Sequence, residues 1–161
     1  MFSSFAKLNE RLALIKFPVT LAAMNEIKMD FSENERIFYE VTIEELNKHF
    51  NPIDLIYSFE PVQPTIVKHG FMVMMEKEIV LTLHNFRLST SATLERIPIE
   101  MVEKVDSEIV ISPLDEPTDF RLGVIYITYN EGLNKKKCII RNVNTENLAY
   151  LVTKCEMLLL Q

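Results

Sequence analysis

The apolar residues between Ile79 and Leu88 change phase, and that change constrains the fold more than any other feature of the chain. Ile79, Leu81 and Leu83 fall on odd positions, whereas Phe86 and Leu88 fall on even ones. Side chains along a strand alternate between its faces, so a strand with one buried face keeps its apolar residues in one phase. A switch of phase therefore predicts a turn or bulge, here at His84–Asn85. Read through to Val105, the stretch is a strand, a tight turn, a second strand, a polar loop and a third strand.

The residues flanking that turn carry a family resemblance. Leu83–Leu88 (LHNFRL), followed by Ile97–Val105 (IPIEMVEKV), resembles the strand–turn–strand core of pleckstrin-homology and GRAM-like domains. Those families often show a Leu-Thr-Asn-Tyr-Arg-Leu-like turn, then an Ile-Pro-Leu strand. Asn85, Arg87, Leu88, Ile97, Pro98 and Ile99 match the pattern, with His84 where Thr is common and Phe86 where Tyr is common. The motif is short and covers about a sixth of the chain. The resemblance implies an α+β fold: a pleckstrin-homology-like bent antiparallel sheet or split barrel, plugged at one end by a C-terminal helix. The archaeal chemotaxis adaptor that joins a response regulator to the archaellum motor is similar in its strand–Arg-Leu–strand–Ile-Pro pattern.

At 161 residues the chain suits one domain with a core that needs neither disulfides nor metals. The expected organisation is a single domain over residues 1–161, with 1–30 an N-terminal helical extension and about 31–161 the core. A hydrophobic content of 48% belongs to a globular protein, and 3 glycines leave little room for phosphate-cradling loops. The net charge of −6 argues against nucleic acid or an anionic membrane as a partner of the whole surface. Cys138 and Cys155 form no CxxC pair and follow no secretory signal, so they read as reduced thiols of a cytoplasmic protein. No apolar run reaches the roughly 20 residues needed to span a membrane.

Along the chain, Phe5, Leu8, Leu12 and Ile15 recur at helical spacing and predict an amphipathic helix that Pro18 ends. Val19–Met29 fits a strand or a short helix equally. Ile37–Val41 is rich in strand formers, and Thr42 with Glu45 forms a capping-box pattern for a helix that Asn51-Pro52 ends. Ile53, Leu55, Tyr57 and Phe59 alternate with polar residues as a half-buried strand, and FMVMM after Gly70 reads as an interior run. Further strands are expected at Glu108–Ser112, around Val124–Tyr129 and at Lys136–Val143, the last two joined near Asn130-Glu131-Gly132 by a loop longer than two residues. A closing helix, capped at Asn144 or Thr145, would bury Leu148, Leu151, Val152, Cys155, Leu158 and Leu159.

Little catalytic chemistry is written in this pattern. His49, His69 and His84 stand far apart with no metal-ligand spacing, and no GxSxG, HExxH, Walker A or dinucleotide fingerprint occurs. The expectation is a non-enzyme without cofactor or metal. Two features remain as binding candidates. One is Arg87 in the organising turn; the other is Lys135-Lys136-Lys137, the basic run. Clustered ammonium groups on a hairpin loop suit phosphate, as in a phosphoinositide headgroup, but the plainer reading is a solvated turn that protects a strand edge. The function these residues imply is a protein-interaction or adaptor module with a protein partner, in prokaryotic signalling by the second resemblance. The contrasting reading is a peripheral binder of lipid headgroups.

Overall fold

The computed structural model describes residues 6–27, 33–62, 68–85, 92–110, 122–144, 152–157 and 159. Three helices come first: α1 (Ala6–Ala13), α2 (Leu21–Asn25) and α3 (Glu33–His49), with the short strand β1 (Val19–Thr20) between α1 and α2. Then follow β2 (Leu55–Val62), β3 (Lys68–Met75), β4 (Glu78–Asn85) and β5 (Thr93–Pro98). A 3₁₀ turn at Ile99–Met101 leads to β6 (Val102–Val110), β7 (Leu122–Glu131) and β8 (Asn134–Asn144). The fold is α+β, with two antiparallel sheets. Strands β1 to β5 neighbour one another in chain order in the first sheet, and β6 to β8 do the same in the second.

The first sheet is buried on both faces, which explains the uninterrupted apolar run of β3. Phe71, Val73 and Met75 face the helices, where they meet Leu8, Leu12, Leu21, Met24, Phe38, Tyr39, Ile43 and Leu46. Met72 and Met74 face the opposite way, into a core shared with Val105, Ile125, Ile127 and Ile140 of the second sheet. Cys155, from the helical segment 152–157, reaches into that same inter-sheet core. Each fully buried large side chain there stabilises the fold by about 1.5–3 kcal/mol. Leu148, Leu151 and Leu158 lie outside the described residues, as do Phe86, Arg87 and Leu88.

Several local expectations give way to tertiary structure. Ile37–Val41 is helix, not strand, because one α3 of 17 residues buries Phe38, Tyr39, Ile43 and Leu46 on a single face. Packing of that face outweighs the strand preference of individual residues, a small effect per position. Thr42 is consequently mid-helix rather than a cap. The cap function falls instead to Thr20, whose Oγ1 accepts from the Ala23 amide at 3.1 Å and so starts α2. The described part of Val19–Met29 is thus strand and then helix, Val19–Thr20 followed by Leu21–Asn25.

β4 does not turn at His84–Asn85; it pairs onward, with His69 opposite His84 and Lys68 opposite Asn85. Nor is Ile97–Val105 one strand. β5 stops at Pro98, which has no amide for the ladder, and the Ile99 amide instead donates to the Lys77 carbonyl at 2.9 Å. This 3₁₀ turn carries the chain from the first sheet to the second. Residues expected as a separate strand at 108–112 begin within β6. In β2 the register shifts between Ile56 and Ser58, so Ile56 and Phe59 both face the helices while Tyr57 packs on the inter-sheet core. Ile53 lies before the strand and is 80% exposed.

The β7–β8 hairpin closes through two residues, Gly132 and Leu133, since Glu131 pairs with Asn134. Gly132 has φ of +62° at the first central position, which both common two-residue hairpin turns require to be positive. Cys138 and Cys155 are free thiols. Among the described residues, no helix is long and apolar enough to cross a membrane.

Candidate functional site

Helix α3 is the hub from which both polar sites are built. Its buried face carries one polar tether per turn, each to a different element. Glu35, 4% exposed, accepts the Leu8 amide at 2.9 Å and so satisfies a first-turn donor of α1. Tyr39 donates its hydroxyl to the Met24 carbonyl at 2.5 Å, holding the end of α2. Burial raises the Tyr39 pKa above the ordinary phenol value. Thr42 lies 2.8 Å from Nε2 of His84 on β4.

The histidines that look isolated along the chain are neighbours in space. His69 and His84 occupy paired positions on β3 and β4, with ring centroids 5.8 Å apart and planes 12° from parallel. Phe38 of α3 lies against both rings, and it stacks on Phe71 at 4.5 Å. Burial lowers the His69 pKa to about 4, with the neighbouring His84 adding to the shift, and burial lowers His84 to about 4 as well. Both rings are neutral at ordinary pH. The single hydroxyl proton of Thr42 goes to the Phe38 carbonyl at 2.9 Å, so His84 Nε2–H is the donor to Thr42. His84 Nδ1 then holds a lone pair, not a proton, and is buried without a hydrogen-bond partner. Among the described residues, no group of three or more metal-ligating side chains forms. The pair is a closed polar seam between α3 and the sheet.

The second site is open. A groove of about 340 Å³ lies where α3 ends, lined by His49, Phe50, Asp54, Leu55, Met75, Glu76, Lys77, Glu78 and Arg96. Arg96 grips Glu78 in a fork, Nε to Oε1 at 2.5 Å and Nη2 to Oε2 at 2.8 Å. The hydrogen bonds that Arg96 donates to Glu78 raise the Arg96 pKa further. Its guanidinium also sits 4.6 Å from the centre of the Phe50 ring, so one side chain clamps β4, β5 and the end of α3. His49 and Lys48 both turn toward Glu45 at 3.3 Å. Asp54 accepts the Asn51 amide at 2.8 Å, which closes the turn into β2. Sequence reading missed this site because its residues come from four separate segments. The one signal was opposite charge at Glu78 and Arg96, which means nothing until the register is known.

The residues singled out earlier fare differently. Arg87 lies outside the described residues. Lys135, Lys136 and Lys137 are on β8 itself, paired with Asn130, Tyr129 and Thr128, rather than in the hairpin loop. Each is engaged within the chain: Lys135 with Glu103 at 3.1 Å, Lys136 with Glu131 at 2.7 Å, and Lys137 over the Tyr126 ring at 4.5 Å. Glu103 is held below the usual carboxylate range by its hydrogen bonds from Asn130 and Lys135.

The chain as a whole has a relative of similar length. It is 29% identical over 153 residues to the SPbeta prophage-derived uncharacterized protein YokE of Bacillus subtilis (strain 168), covering 94% of this chain and 95% of that protein. No family model matches the chain.

Proposed function

We propose that the chain is a non-catalytic protein-interaction or adaptor module with a pleckstrin-homology-like fold, and that the groove at the end of α3 is its contact site. The fold reading is supported by the order of the long strands. Four successive antiparallel strands are followed by three more in a second sheet, then by a helical segment that sends Cys155 between the sheets. The helices α1 to α3 are an addition that covers the outer face of the first sheet. An adaptor role in prokaryotic signalling is the finer form of the same reading.

The observation that carries the interaction role is the groove's composition. A largely polar lining with half-buried Phe50 and Leu55 among it, a fixed guanidinium and carboxylates at the β3–β4 turn suit a protein segment, which can be held by a few placed polar groups and a small apolar contact. The headgroup reading draws less support. A phosphate approaching Lys135 or Lys136 competes with a carboxylate already in place, and such exposed pairs sit near neutrality.

The test is photocrosslinking in extract of the native cell, with the photoreactive residue placed at position 77 in one variant and at 135 in another. One discrete protein adduct from position 77, and none from 135, is expected. The reading is overturned by no adduct from position 77 together with flotation on anionic vesicles that disappears when Lys135, Lys136 and Lys137 become Ala.

A further inference from the structure

We infer that the groove accepts a short segment of a partner protein that presents an apolar side chain beside a basic one. This rests on the interaction-module reading and adds the chemistry of the partner. Phe50 and Leu55, both half-buried, give the groove an apolar part beside its polar lining, with the buried Met75 beneath. Apolar surface in a concave site gains free energy when covered.

Charge decides what accompanies the apolar anchor. Arg96 is committed to Glu78 through two hydrogen bonds, so that pair is neutral to an incoming group. Lys48 is balanced by Glu45 on the last turn of α3. What remains on the lining is Asp54 and Glu76 against Lys77, an excess of one negative charge. The C-terminal end of α3 also meets the groove at His49 and Phe50, and the carbonyl end of a helix carries roughly half a negative charge. An incoming carboxylate or phosphate is repelled and finds the one guanidinium taken. An incoming ammonium or guanidinium is attracted, with Glu76 on the exposed β3–β4 turn as its nearest accessible counter-charge.

The test is an amide NMR titration of the whole chain with two peptides, acetyl-Ala-Leu-Arg-Ala-amide and acetyl-Ala-Leu-Glu-Ala-amide. The basic peptide should shift the amides of Phe50, Leu55, Lys77 and Arg96 saturably. The acidic peptide should bind roughly tenfold more weakly, and Glu76→Lys should weaken the basic peptide by about fivefold or more. The spectrum of the variant itself reports whether it is folded. Lys77→Glu, which should tighten the basic peptide, repeats the test if it is not. Equal shifts from both peptides, shifts confined to other residues, or no saturable shift from the basic peptide overturn the inference. If the crosslink from position 77 still forms in that case, the interaction module stands and only the partner chemistry is discarded.

Discussion

The hydroxyl of Thr42 and the Nε2 of His84 are 2.8 Å apart, and this hydrogen bond fastens the middle of α3 to the fourth strand of the sheet beneath it. Both residues are buried, His84 to 1% exposure. Thr42→Val keeps the shape but strands the His84 N–H in an apolar seam. The expected loss is about 1–3 kcal/mol in denaturant unfolding, the cost of leaving a buried donor unpaired. An unchanged unfolding midpoint would show that the bond contributes nothing to the seam.

The same seam sets an acid limit on stability. His69 and His84 titrate near pH 4 when folded, against an ordinary value of 6.5. A depressed histidine pKa means that the unfolded chain binds protons first, so stability is full above about pH 6.5 and falls as the pH drops toward 4. Two such rings together are worth several kcal/mol at the low end of that window. Ring-proton NMR should place both titrations well below pH 6, and equilibrium unfolding should weaken over the same range. Stability that is flat between pH 7 and 5 would contradict neutral burial of the pair.

Gly70 and Gly132 separate two reasons for glycine. A Cβ at Gly70 would lie 1.5 Å from the Thr82 carbonyl oxygen, a backbone atom of the neighbouring strand. At Gly132 nothing lies within 4 Å, and only the φ of +62° favours glycine. Gly70→Ala should therefore cost about 3 kcal/mol or more through strand displacement, and Gly132→Ala about 1–2 kcal/mol through backbone strain. Comparing the two melting temperatures checks the order, and the reverse order would refute it.

The thiols should be inert in the folded chain. Burial pushes Cys155 up to about 12, and burial together with the nearby Glu95 carboxylate does the same for Cys138. Nucleophilic attack needs the thiolate, so a disulfide reagent at neutral pH should label buried Cys155 only as fast as the protein opens, and half-buried Cys138 slowly because so little of it is thiolate. Labelling within seconds under native conditions would mean that one thiol is reachable.

Local pattern determined those elements whose partners are close in sequence or whose burial is uniform. The spacing of Leu8 and Leu12 specified α1, the run Phe71–Met75 specified an interior position, and Gly132 marked the hairpin reversal, though the expected loop was longer than the two residues that close it. Each depends on a period or on one residue's allowed φ, both of which a sequence displays directly. The α+β character was legible for the same reason.

Tertiary structure alone decided the rest. Ile37–Val41 became helix because its neighbours bury one face on the sheet, a gain no local preference expresses. His69 and His84 became a pair through the register of β3 on β4, and Arg96 met Glu78 and Phe50 through β5 and the end of α3. Lys135 and Lys136 of β8 were neutralised by Glu103 on β6 and by Glu131 across the hairpin. Contacts between distant segments depend on register and layer order, and one-residue differences in either move a side chain to the opposite face.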